Sequence, residues 1–275
     1  VNKKVLFVFF GLVFLNLFSW GVVQYVNQNY LKVVFFDVGQ GDAIFIETPF
    51  KHQILIDGGP SREKIIEKLS EEMPFWDRTI DLIVLTHLDT DHATGLFQVL
   101  KEYEVGSVLW NGLGKNEEWE SLLKQEGAEI IQGSSLSANN VFFDILNNSS
   151  SSGGDSNDNS FVLKMTYQNN SFLFTGDVSS KRENEFASDI DILKVAHHGS
   201  KYSTSAEFLT KTSPRLAVVQ VGKNSYGHPS EEVLTRLNNF GIKTLRTDID
   251  GDIKLVSNGK DIKIITKKAY ELSNF

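Results

Sequence analysis

Apolar residues run almost continuously from Val5 to Val26, with polar side chains only at Asn16, Ser19 and Gln24. About 20 apolar residues suffice to span a bilayer as a helix, so this run predicts a membrane segment. Lys3 and Lys4 precede it and the next charge is Lys32, a bias that keeps the amino terminus inside and puts the remainder outside the cytoplasm. The densest part, Val5 to Phe18, also fits the apolar region of a signal peptide, so a cleaved and secreted form is the alternative. Trp20, Val22 and Tyr25 make poor cleavage sites.

Beyond this run the period shortens. Leu31–Phe36 and Ala43–Glu47 read as strands joined by a tight Gly39/Gly41 hairpin, and Gln53–Ile56 as a third strand ending in Asp57-Gly58-Gly59. Ser61–Met73 has Ile65, Ile66 and Leu69 on one helical face among charged residues. Strands are expected at Asp81–Leu85, Val105–Trp110 and Glu129–Gln132, with helices after Ala93 and over Glu117–Glu126. Further on, Ser160–Tyr167 and Ser171–Phe174 pair about a Gln168-Asn169-Asn170 turn. Lys181–Ser188 follows as helix, then Asp191–Ala196 and Leu216–Val221 as strands. This alternation predicts a layered α/β domain. The polar tract Asn147–Asn159 cannot bury a core and reads as a mobile loop within that one domain.

Chemistry-bearing residues gather just past strand ends. Thr86–His92 holds His87, Asp89, Asp91 and His92, Thr175-Gly176 leads to Asp177, and His197-His198-Gly199-Ser200 and Gly227-His228-Pro229 follow later strands. Five of the six histidines lie in such positions, and His52 reads as an ordinary exposed residue. Clustered carboxylates repel one another unless a cation neutralises them, and carboxylate with imidazole suits divalent metals. Gly-Asp turns at Asp42 and Asp57 read equally well as turn chemistry. For His228, ligand, substrate-contacting and structural roles remain open. With no cysteine, thiolate ligands, cysteine nucleophiles and disulfides are excluded. The net charge of −8 is mildly unfavourable to a broad DNA-binding face, though bound divalent cations would offset part of it.

These motifs resemble the metallo-β-lactamase superfamily, whose HxHxDH signature here reads HxDxDH with Asp89 replacing the second histidine. Together with Asp37-Val38-Gly39-Gln40-Gly41-Asp42, Asn157-Asp158-Asn159-Ser160, Thr175-Gly176-Asp177, His197-His198-Gly199-Ser200 and Gly227-His228-Pro229, that form is similar to the hydrolase domain of ComEC-type competence proteins, from about Leu31 to Ile265. The resemblance implies an αββα sandwich over residues 29–275 after an anchor or signal segment at 1–28. It implies one or two divalent ions, Zn²⁺ or Mn²⁺, with His87 and Asp89 on one and Asp91 and His92 on the other. Asp177 would bridge them and His198 complete the second site, although His197 and His198 can exchange roles. The usual third histidine of the first site is missing, and Asn159-Ser160 stands near its place.

Asp91, His197 and His228 are the expected catalytic residues, and Ser200, Lys201, Asn159 and Lys223 the expected substrate contacts. The expected activity is hydrolysis of phosphodiesters, DNA foremost, outside the cytoplasm and beside a separate channel protein. Other extracellular phosphodiesters, lactones, or a DNA-binding accessory without catalysis are the alternatives.

Overall fold

Residues 3–27, 30–113, 116–127, 129–131, 133–147 and 156–267 are described by a computed structural model. The β-rich runs pair into two sheets. β1 (Leu31–Phe35), β2 (Ile44–Glu47), β3 (Gln53–Ile56), β4 (Thr79–Val84), β5 (Glu104–Leu109) and β6 (Glu129–Ile131) belong to the first. β7 (Ser135–Ala138), β8 (Val141–Ile145), β9 (Leu163–Tyr167), β10 (Asn170–Phe174), β11 (Ile192–Lys194), β12 (Leu216–Val219) and β13 (Lys243–Arg246) form the second. β14 (Ile253–Ser257) and β15 (Ile262–Thr266) return to the first, whose order is β15-β14-β1-β2-β3-β4-β5-β6; the second runs β13 to β7 in sequence.

Period-2 alternation sends one set of side chains between the sheets, where Phe35, Ile46 and Ile56 meet Leu163, Phe172 and Phe174. The Phe35 and Phe174 rings lie 6.3 Å apart across this layer. The opposite set packs under helices: Val34, Phe45 and Leu55 under Ile65, Leu69 and Leu96, and Leu193 and Val219 under Phe208, Val233 and Leu237. Burial on both faces is why these strands read as nearly continuous apolar runs. The result is the expected four-layer αββα sandwich.

The apolar run forms a helix over Lys3–Asn27, and its Lys3–Val22 stretch, with hydropathy 2.2, has no side chain buried against the protein. At 1.5 Å per residue that stretch measures about 30 Å, the thickness of a bilayer core. Asn16 returns its amide to Leu12 O at 2.9 Å, so this polar side chain is satisfied within the helix.

Three expectations change. The β1–β2 connection is no tight turn but an eight-residue loop over residues 36–43, in which Asp42 N donates to Asp91 O at 3.1 Å. Lys181–Ser188 contains only the 3₁₀ turn Glu183–Glu185, because the buried Glu183 carboxylate is drawn to Thr204 N (2.6 Å) and Ser205 N (2.7 Å). A β7–β8 hairpin adds strands over residues 135–145 that the sequence pattern did not call for. Most of the polar tract, residues 148–155, lies outside the described residues, and its end, Asn157–Asn159, is a 3₁₀ turn.

β3 to β6 and β10 to β13 run parallel, so their carboxyl ends share one edge of each sheet. The loops leaving those ends, at 57–59, 85–92, 175–177, 195–200 and 220–229, meet there, and the 36–43 loop joins them.

Candidate metal centre

His87, His92 and His198 are buried, and each engages its Nδ1 with the protein. His92 Nδ1 lies 2.8 Å from Asp57 Oδ2, and Asp57 also accepts from Thr86 N (2.8 Å) and Thr86 Oγ1 (2.7 Å). Because Thr86 gives its single hydroxyl proton to Asp57, its oxygen accepts from His87 Nδ1 at 3.0 Å. His198 Nδ1 donates to Gln220 O at 2.9 Å. In the neutral rings these contacts fix the proton on Nδ1 and leave the Nε2 lone pairs for a ligand, the usual arrangement of metal-binding histidines.

The Nε2 atoms converge. Donor atoms of His87, His92 and Asp177 lie within 4.8 Å of one another, as do those of Asp91, His92 and His198 and those of Asp42, Asp177 and His198. His87 Nε2 and His92 Nε2 are sealed from solvent and make no hydrogen bond, and Asp177 turns Oδ2 toward them, 3.3 Å from His92 Nε2 and 3.5 Å from His198 Nε2. Buried polar atoms left orphaned are expensive. Two orphaned imidazole nitrogens beside a buried carboxylate, with donor atoms within 4.8 Å of one another, fit a divalent cation. Asp89 stands at the rim, 43% exposed, with Oδ2 3.7 Å from His87 Nε2 and 3.3 Å from the Ser156 hydroxyl.

The surroundings are strongly charged. Burial opposes the charged form of His198, yet Asp177 and Asp42 beside it raise its pKa to about 9. His92 behaves likewise: Asp177, Asp57 and Asp42 outweigh burial and hold it well above an ordinary imidazole. His87 moves oppositely, pushed down to about 4 by burial and by the neighbouring His92. Burial resists ionisation of Asp42, but Lys194, His198 and His92 lower it to about 2. The cluster calls for positive charge, which protons on His92 and His198 supply when no cation does.

One cation is built in. Lys194, on β11, is 1% exposed; its ammonium pairs with Asp42, lies 3.8 Å from Asp177 Oδ1 and donates to Gly176 O at 3.1 Å. Burial alone would depress this ammonium, but Asp42 and Asp177 hold its pKa above the ordinary lysine value. Asp42 and Asp57 were left open between turn chemistry and a site role, and Lys194 was not singled out from the sequence. The available signals were a lone lysine on the inward face of Ile192–Lys194 and two aspartates following strands β1 and β3.

His197 and His198 separate because both adopt left-handed backbone, φ 50° and 51°, followed by Gly199 at 81°. Left-handed residues other than glycine cost roughly 1–2 kcal/mol each, and here the turn sends adjacent side chains to different places. His198 goes to the interior, with Nε2 3.2 Å from Asp91 Oδ2 and 3.5 Å from Asp177 Oδ2. His197, 28% exposed, keeps its Nε2 3.9 Å from Asp177 and 3.5 Å from Asn157 Nδ2.

Above the cluster opens a cleft of about 760 Å³, lined by Asp89, Asp91, Asn157, His197, Lys223, Tyr226 and His228 among others. The His228 ring lies 5.5 Å from that of His197, and burial, then His197 and His198, lower its pKa and keep it neutral. Three expected substrate contacts do not line the cleft. Ser200 is buried, and its Oγ accepts from Tyr202 N at 3.4 Å within the turn. Lys201 lies over the Tyr202 ring at 5.1 Å, and Asn159 uses its carbonyl to accept from Asn111 Nδ2 at 2.9 Å. Lys223, Asn157 and Tyr226 stand in their place.

Residues 36–131 match the metallo-beta-lactamase superfamily. The chain carries a metallo-β-lactamase superfamily domain. The chain is 33% identical over 252 residues to ComE operon protein 3 of Bacillus subtilis, an alignment covering 81% of this chain and 32% of that protein. It is 30% identical over 265 residues to Competence protein ComA of Neisseria gonorrhoeae, covering 91% of this chain and 36% of the relative. The chain thus spans about a third of the length of these competence relatives. Among solved structures, Zn(2+)-bound PqqB from Methylobacterium extorquens superposes with TM-score 0.53 at 11% identity, covering 79% of this chain and 87% of that one. CmlA, a diiron β-hydroxylase from Streptomyces venezuelae, gives 0.52 at 12% identity over 86% of this chain and 54% of that one. At such identities the likeness shows the fold alone.

Proposed function

We propose that the chain is a metal-dependent phosphodiesterase acting on DNA, anchored by its first helix with the sandwich outside the cytoplasm. The observation that carries this reading is the pair of donor sets, His87/His92/Asp177 and Asp91/His92/His198, on the floor of an open cleft bearing Lys223. The competence names of the relatives support DNA as the substrate class.

His87 with Asp89 would hold one ion and Asp91, His92 and His198 the other, with Asp177 shared. Divalent cations there supply Lewis acidity toward phosphate oxygens and toward the attacking water. Asp91, half open to the cleft, orients that water and receives its proton. His228, its ring neutral, and His197 stand where charge develops on the phosphate, and Lys223 offers the leaving strand a positive neighbour. A separate membrane channel is the partner that a DNA-processing role outside the cytoplasm calls for.

Purified full-length chain loaded with Mn²⁺ or Zn²⁺ should cleave DNA and bis-nitrophenyl phosphate. Inactivity on every phosphodiester despite bound metal rejects the proposal. The net charge of −8 favours a second reading, an uncharged or small ester such as a lactone. Turnover that falls steeply with added salt identifies a polyanion, and salt-independent turnover identifies the other class. If DNA binds but is never cut, the chain is an accessory that has lost catalysis.

A further inference from the structure

Four exposed aromatic residues sit together at the edge of the first sheet opposite the metal centre. The register shows why: Lys32 pairs with Glu47, Glu47 with Gln53 and Ile54 with Leu82, so the start of β1, the β2–β3 turn and the start of β4 share one edge. That edge carries Tyr30 (41% exposed), Phe50 (52%), Phe75 (84%) and Trp76 (73%). Phe75 and Trp76 form an edge-to-face pair with centroids 4.8 Å apart, in the segment between the helix Arg62–Glu72 and β4. Lys32 Nζ donates to Glu72 O at 3.3 Å, tying the base of that segment to β1. Large aromatics grouped on a surface mark an interaction site.

The chain itself names the occupant. The apolar helix ends at Asn27 and β1 begins at Leu31. Four peptide steps reach at most about 14 Å, so if the helix crosses a bilayer this edge must lie at its surface. Strands about 4.8 Å apart place the Phe75–Trp76 segment roughly 14 Å from β1 along the same edge, close enough to meet the surface too. Amphipathic rings of Trp and Tyr are favoured at the headgroup level, and Phe rings beside them add apolar area that inserts below it.

The geometry points to this edge as a membrane-docking surface: Tyr30, Phe50, Phe75 and Trp76 insert into the lipid interface and hold the domain upright with its metal centre facing away. This rests on the helix being a membrane anchor. Docking fixes how the domain stands on the membrane. It also sets the cleft about one strand length, roughly 17–20 Å, from the lipid surface, so the site draws substrate from the aqueous phase.

The cysteine-free sequence permits a clean test in the full chain. Single cysteines at Val13, Pro74 and Ser225 are labelled with an environment-sensitive fluorophore and reconstituted in phosphatidylcholine–phosphatidylglycerol vesicles containing nitroxide lipids. Docking requires quenching at positions 13 and 74 and none at 225, with quenching at 74 lost when Phe75→Ser and Trp76→Ser are added. Quenching at 13 with none at 74 keeps the anchor and overturns docking. No quenching at 13 overturns the anchor and docking together. A label at 74 shielded from water but untouched by lipid nitroxides, or quenching at 74 that survives loss of both aromatics, also overturns docking.

Discussion

His92 Nδ1 donates to Asp57 Oδ2 at 2.8 Å, and both side chains are sealed from solvent. Asp57 acts through His92, fixing its ring and making Nε2 a better donor, and it holds Thr86 in the same grip. Asp57→Asn keeps the shape but loses the charge. It should weaken metal binding about 10- to 100-fold, read by competition with a chromophoric chelator. Unchanged affinity would detach Asp57 from the site.

Lys194 and Asp42 are each almost fully buried, so removing one leaves the other charge stranded. Lys194→Met should destabilise the fold by about 3–5 kcal/mol in urea unfolding. Adding Asp42→Asn should recover much of that loss, because the stranded carboxylate is then gone.

Proton competition gives the sign of the pH effect on metal binding. In the metal-free cluster His198 titrates at about 9 and His92 lies well above its ordinary value. Below those values a ligand must lose its proton before it binds metal. Apparent affinity therefore rises with pH, by up to about tenfold per unit for each proton displaced, until His198 titrates. Calorimetry in buffers of different ionisation enthalpy should detect proton release at neutral pH. Its absence would contradict the assignment.

Asp91 projects from the cluster into the cleft, 32% exposed, with His198 Nε2 3.2 Å away. Asp91→Asn should reduce turnover about 10²–10⁴-fold while leaving DNA affinity within a factor of a few. Parallel loss of binding would make the residue structural.

Much of this architecture was legible in the sequence because it rests on local pattern. Strands buried on both faces leave apolar runs, and a histidine or aspartate immediately after such a run must emerge at the sheet edge. That logic brought His87, Asp91, His92, Asp177 and His198 to one place. It failed where side-chain roles depend on partners far along the chain. Asp57 looked like a turn residue because its partner, His92, lies 35 positions away. Lys194 was passed over because its partner Asp42 lies far back in the chain, in the loop between β1 and β2 of the other sheet. Ser200 and Lys201 followed the right histidines, but the left-handed turn at His197-His198-Gly199 carries the chain away from the cleft. Glu183 broke an otherwise plausible helix by capturing two distant amides.

The permanent ammonium of Lys194 has a consequence for which molecules gain admission. Asp42, Asp57, Asp89, Asp91 and Asp177 bring five negative charges to the cluster and Lys194 one positive, leaving four to be neutralised. Two divalent cations with neutral imidazoles cancel that remainder, whereas one, once His92 and His198 have lost their protons at high pH, leaves a doubly negative floor beneath the cleft. A phosphate approaching such a floor is repelled, and more strongly as water is displaced from between them. On the proposed function, filling the second position would therefore act as an electrostatic gate, deciding whether a polyanion is received before it decides how fast it is cut.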